Sequence, residues 1–172
     1  MRKALDTLYD AAAWAAAFFM VGVLAMVLAS VLGRLLGFNL RGSDAYAGYC
    51  MAAAAFLALA HTLKRGEHIR VNLFLDHAGP RTGRALELWS HAAGSFFCVV
   101  LAAFSVRLAW QSWAFNDVSQ GNDATPLWIP QVAMALGAVV LAVAMVDDFV
   151  LHLLRRHPSA LRKAQAEMKR ME

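Results

Sequence analysis

Two histidines carry the first chemical possibility in this sequence. His61 and His91 stand near the same end of two long apolar runs, at similar expected depth. Imidazoles on facing helices can ligate a haem iron from both sides, so a haem- or quinone-associated membrane anchor of a redox complex is one reading. The other is that each histidine sits beside charged flanks, where it needs no ligand. No second histidine pair accompanies them. Cys50 and Cys98 fall inside apolar runs without metal-ligand spacing and read as small packing residues. The densest polar motif is Lys64-Arg65-Gly66-Glu67-His68-Ile69-Arg70-Val71. It places a basic cluster at headgroup level after an apolar run, with Gly66 allowing a sharp exit. Phosphate-binding glycine loops, zinc patterns and nucleophile elbows are missing, so no catalytic, cofactor-binding or metal-ligating residue is expected and the chain does not read as an enzyme.

The elements that must position these groups are four stretches free of Asp, Glu, Lys and Arg: Ala11 to Gly33, Ala45 to Leu63, Leu88 to Val106 and Ala124 to Val146. Each approaches the roughly 20 apolar residues that cross a hydrocarbon core of about 30 Å. Soluble helices alternate apolar and charged faces, and these do not. The fold class expected is all-α and membrane-integral, a single domain over 1–172. Its four transmembrane helices are expected at about 11–33, 45–63, 86–115 and 125–148. None contains a mid-span carboxylate, the group that usually marks an ion or proton pathway. A self-sufficient transporter of charged solutes is therefore disfavoured, as is a small multidrug exporter driven by a membrane-embedded Glu.

Charge sets the expected orientation. Of the 16 Lys and Arg residues, thirteen lie before span one, between spans two and three, or after span four. Arg34, Arg41 and Arg107 are the three on the other side. By the positive-inside bias both termini are cytoplasmic, and the basic pI of about 9.4 reflects topology rather than nucleic acid binding. A cleaved signal peptide is disfavoured, because the first apolar run is too long and Asp6 and Asp10 precede it.

Small residues suggest close packing. Ala25, Ala29 and Gly33 recur every fourth residue in span one, and span two carries Gly48, Ala52, Ala55 and Ala58. Either self-packing of the four helices or a partner-binding face wants such residues. Gly37, Gly42 and Ser43-Asp44 supply a turn and an N-cap for span two. Trp110, Trp113 and Phe115 form an outer aromatic belt, with Arg107 snorkelling from just below it. Pro126 is expected to start span four; Pro130 either lies in its first turn or kinks it. On the cytoplasmic side, Ile69 to Leu75 is too short to span and lies in the interface or docks on the bundle. The tail from 159 to 172 spaces Leu161, Ala164, Met168 and Met171 as a basic amphipathic helix for an anionic leaflet.

The stretch Arg65-Gly66-Glu67-His68-Ile69-Arg70-Val71-Asn72, following an alanine-rich span, resembles the signature of the small-permease (Q, DctQ-like) subunit of tripartite ATP-independent periplasmic (TRAP) transporters. The entry to span four, with Pro126, Trp128, Pro130 and then Gly137, is similar to that family too. The sequence departs from the common pattern at Asn72 and Ala135, and has Asp44 alone before span two. The resemblance implies a scaffold subunit in the bacterial inner membrane. Its partners would be a large multi-span permease (M) subunit, a periplasmic solute-binding (P) protein and the lipid bilayer, and its task sodium-coupled uptake of an organic acid. It also implies that Arg65, Gly66, His68, Arg70, Pro126, Trp128, Pro130 and Gly137 are structural or partner-interface residues, and that no cofactor is used.

Overall fold

The computed structural model describes residues 2–38, 40–65, 80–121 and 123–154. Four helices account for nearly all of them: α1 (Arg2–Leu35), α2 (Ser43–Arg65), α3 (Pro80–Ala114) and α4 (Trp128–Leu153). All four are long and apolar enough to cross a membrane. The motif from Gly66 to Asn72, the interfacial segment Ile69 to Leu75 and the amphipathic tail lie outside the described residues.

Helix ends follow from backbone chemistry. At the end of α1, Gly37 takes φ +79°, the Phe38 N–H donates to the Gly33 carbonyl at 2.9 Å, and the Gly37 N–H donates to Arg34 at 3.4 Å. This double closure caps the last carbonyls through a left-handed residue, for which glycine has no Cβ penalty. The end of α3 repeats it with Asn116 at φ 52°: Asp117 donates to Ser112 at 2.9 Å and Asn116 to Trp113 at 3.3 Å. The cap of α2 differs from expectation. Gly42 (φ +80°) accepts the Tyr46 N–H at 3.0 Å and so occupies the cap position. Ser43 is buried one residue inside, and Asp44 lies in the first turn, where a carboxylate suits the helix dipole.

The entry to α4 also differs. Pro126 is not helical but pairs with Val118 in an isolated antiparallel bridge. Ser119 donates to the Thr125 carbonyl at 2.8 Å and Leu127 to the Asp117 carbonyl at 2.9 Å, so residues 117–127 form a small strap. Helix begins at Trp128, and Pro130 falls in its first turn, where its missing N–H has no intrahelical partner to lose. α1 likewise starts well before the first apolar run. Leu5, Tyr9, Ala12 and Ala16 recur at helical spacing and pack on α2 and α4, which carries the helix back to Arg2.

The helices pack in the order α1, α2, α4, α3, and α3 rests on α4 rather than on α1 or α2. This is a row, not a closed ring of four. In lipid there is no hydrophobic force to close a bundle, so contacts form only where surfaces fit closely. The fit is tightest between the two middle helices. A Cβ added at Gly137 would stand 2.6 Å from the Phe56 carbonyl carbon and 2.8 Å from the Leu57 nitrogen, both backbone atoms of α2. Around this crossing Ala53, Ala54, Leu57 and Ala60 of α2 are buried, as are Ala135, Ala138, Leu141, Ala142 and Ala144 of α4. The small-residue stripe read from span two is divided: Ala52 and Ala58 are half-buried, whereas Gly48 and Ala55 are exposed, and nothing lies within 4 Å of a Cβ at Gly48. On α1, Gly33 is packed against Phe38 of its own cap rather than another helix.

The two glycines make a paired test. Gly137→Ala must push apart two backbones and should cost about 1–3 kcal/mol, the usual range for overpacking. Gly48→Ala should leave stability of the isolated chain within about 0.5 kcal/mol, as a surface substitution does, or raise it through helix propensity. Thermal unfolding of both variants in detergent distinguishes them. Equal effects would contradict the close α2–α4 crossing.

Candidate partner interface

Polar side chains fasten the row at both ends, outside its apolar middle. At the end bearing the 117–127 strap, Asp123 accepts hydrogen bonds from the Ser119 hydroxyl at 2.7 Å and the Tyr49 hydroxyl at 3.0 Å. Thr125 donates to the Tyr46 hydroxyl at 3.0 Å, and the rings of Tyr46 and Tyr49 meet edge to face at 6.1 Å. Two tyrosines one turn apart on α2 thus hold the α3–α4 strap. Gly42 lets the strap come close: a Cβ there would stand 2.7 Å from that of Asp123. The hydrogen bond from Ser119, with that from Tyr49 and the Thr125 hydroxyl close by, holds the Asp123 carboxyl down at about 2, against 3.8 ordinarily, although burial works the other way. The Arg34–Asp44 pair nearby is 3.9 Å long and exposed on both sides, and such pairs contribute about 0–1 kcal/mol.

At the opposite end, the two histidines are in different places. His61 of α2 faces Asp10 of α1 at 3.6 Å, and His91 of α3 faces Asp148 of α4 at 3.2 Å. The second pair is well shielded, and beside it the Ser95 hydroxyl donates to the Met145 carbonyl at 3.1 Å. α4 separates α2 from α3, so His61 and His91 do not face each other across a shared space as axial haem ligands do. Each imidazole instead ties its helix to a neighbour, which removes the geometric basis for the haem reading. Cys50 and Cys98 are both free thiols; Cys50 lies against Gly22 of α1, and Cys98 packs beside Ala102, Ala138 and Ala142.

The residues singled out in the sequence are dispersed. Arg65 is the last residue of α2, while Gly66, His68 and Arg70 lie outside the described residues. Pro126 belongs to the strap, Pro130 to the first turn of α4, and Gly137 to the α2–α4 crossing. Trp128 joins Trp110 and Trp113 of α3, whose rings lie 5.3 Å apart, around an apolar groove of about 380 Å³. Val106, Val132, Leu136 and Val139 line its floor and walls. Arg107 is exposed one turn below Trp110, in keeping with an interfacial anchor. Missed at the level of sequence were Tyr46, Tyr49, Asp123 and the acidic partners Asp10 and Asp148. The i, i+3 tyrosine pair was the available signal; the carboxylates had none, because their partners lie on other helices.

This geometry is that of a polytopic helical membrane protein whose ionisable contacts sit at the two ends of its spans. Residues 23–155 match the protein-family model for tripartite ATP-independent periplasmic transporters, DctQ component. The chain therefore belongs to the DctQ family, the small membrane subunit of TRAP transporters. That family is one of transporter components rather than of enzymes. No individual curated protein matches the chain.

The strap gives a pH prediction. The Asp123 carboxyl is held at about 2 in the folded chain and ordinarily titrates near 3.8. Its stabilising effect is therefore complete above the ordinary value and is lost as pH falls through the folded one. Asp123→Asn should lower the melting temperature at pH 6, with the gap to the native chain shrinking between pH 4 and pH 2. A gap that stays constant through that window would show that the carboxylate does not hold the strap.

Proposed function

We propose that this chain is the fixed brace of a TRAP-type secondary transporter of the bacterial inner membrane, with both termini in the cytoplasm. In this reading it scaffolds the large permease (M) subunit for sodium-coupled uptake of an organic acid, which a periplasmic solute-binding (P) protein delivers. Membership of the DctQ family over residues 23–155 carries the proposal. Two features support the bracing role. All Asp and Glu of the four helices stand near helix ends, so the membrane interior offers no acidic group to select or drive an ion. The middle of the row is held by backbone-close packing of α2 on α4, which suits a part that stays still.

Orientation rests on the thirteen-to-three distribution of Lys and Arg. It puts the strap and its Asp123 latch in the periplasm and the His–Asp pairs toward the cytoplasm. Arg65, His68 and Arg70 then act at the cytoplasmic headgroup level, through charge-assisted hydrogen bonds to lipid or to the large subunit.

Reconstitution tests this function. The chain alone in proteoliposomes should move no organic acid under a sodium gradient, and transport should appear once the large subunit and a loaded binding protein are added. In the same system a reporter at Gly121 should be accessible from the side where the binding protein is supplied. Sodium-driven uptake by the chain alone would reject the bracing role, and a reporter at Gly121 facing the opposite side would reverse the orientation.

A further inference from the structure

The apolar groove between α3 and α4 has the depth of one leaflet. On α4 its lining runs from Trp128 to Val139, a rise of about 16 Å at 1.5 Å per residue, against about 15 Å for half of a hydrocarbon core of about 30 Å. On α3 it runs from Val106 to Trp113, a rise of about 10 Å. A transmembrane helix needs a seat about twice as deep, whereas the acyl chain of a lipid in the strap-side leaflet descends about this far. The groove holds about 380 Å³, and every side chain lining it is hydrocarbon or indole. Trp110, Trp113 and Trp128 stand in its strap half. An indole N–H is a donor only, and none of these three donates to a described residue. They are left to serve acceptors from outside the chain, at the headgroup level where tryptophan collects.

A cation completes the set. Arg107 follows Val106 on α3, is exposed, and lies inside the third apolar span, Leu88–Ala114. No acidic residue among the described ones pairs with it. A cation exposed inside a span is costly until it reaches a counter-charge, and the anion that the bilayer itself supplies is a phosphate diester. The Arg107 Cα lies about 9 Å below that of Trp113, a rise across which an extended arginine snorkels. Its guanidinium fork matches a phosphate bidentately. Hydrocarbon in the groove, indole donors above it and a guanidinium reaching the same level follow the order of groups along a phospholipid: acyl chain, ester oxygens, phosphate. We propose that this groove and Arg107 form a binding site for one phospholipid of the strap-side leaflet, with its phosphate on Arg107 and an acyl chain in the groove. The site requires only that the helices span the membrane, so it stands or falls independently of the bracing role.

The test reconstitutes the full chain into vesicles of phosphatidylethanolamine and phosphatidylglycerol, extracts it in mild detergent and weighs it by native mass spectrometry. The native chain should retain a phospholipid, and diacylglycerol supplied in the vesicles should not take its place. Arg107→Gln should lower the retained fraction about tenfold, the effect of losing a charge-assisted hydrogen bond. Arg107→Lys, which keeps the charge, should recover part of it, and Arg41→Gln, an exposed cation away from the groove, should change nothing. Val132→Trp, which fills the groove from an exposed position, should displace the lipid while Arg107 is intact. Helical content and melting temperature in detergent check that each variant is folded. Retention of detergent only, of diacylglycerol as readily as phospholipid, or of a second copy of the chain in place of lipid would overturn the proposal. So would equal losses for Arg107→Gln and Arg41→Gln, or full retention by folded Val132→Trp.

Discussion

Gly137 sets the spacing of the whole row. With hydrogen in place of a side chain it lets α4 lie against the backbone of α2 at Phe56 and Leu57, closer than any Cβ would allow. The alanines around the crossing, buried at Ala53, Ala54, Ala138 and Ala142, extend the contact along both helices. In lipid this kind of fit must hold the helices together, since the surrounding acyl chains are as apolar as the side chains they compete with. α1 then packs on α2 and α3 on α4, so each outer helix takes its position from the central pair.

Polar contacts finish what close packing begins. They lie toward the two ends of the row, at the Tyr49–Asp123 latch on one end and at the His61–Asp10 pair and the more shielded His91–Asp148 pair on the other. Interhelical hydrogen bonds in membranes contribute only about 0.6 kcal/mol on average, so their value lies in fixing which helices pair and at what height. The latch joins α2 to the α3–α4 strap, and the two His–Asp pairs join α1 to α2 and α3 to α4. Together they cross each of the row's seams near its ends and leave the apolar middle to the glycine and alanine contact.

Four spans were legible in the sequence because uncharged runs of membrane length have no other stable use. Family membership was legible in the Arg65–Asn72 order and the proline–tryptophan–proline entry to α4. The finer structure was hidden for physical reasons. Pro126 suits a helix start, but the bridge to Val118 holds it extended, a pairing set by the strap's fold rather than by proline itself. Gly48 and Ala55 have the same composition signal as Ala53 and Ala54, and only the direction of the neighbouring helix decides which of them is buried. The similar depth of His61 and His91 could be read from their positions in the spans. That α4 stands between their helices could not, because helix order in a membrane is not encoded in the order of the chain.

A brace must keep its shape while the part it supports moves. The backbone-close contact of α2 on α4, latched at the strap end by Tyr49 and Asp123, is the feature of the row that suits such a part. Spin labels at Trp14 and Phe104, on the two outermost helices and both exposed, measure the width of the row directly once Cys50 and Cys98 are replaced by alanine. In the complex with the large subunit, the distance distribution between them should stay the same with and without sodium and with and without the loaded binding protein. A change of several ångströms, about the one-turn rise of 5.4 Å by which helices ratchet in known switches, would contradict the account and make this subunit part of the moving machinery.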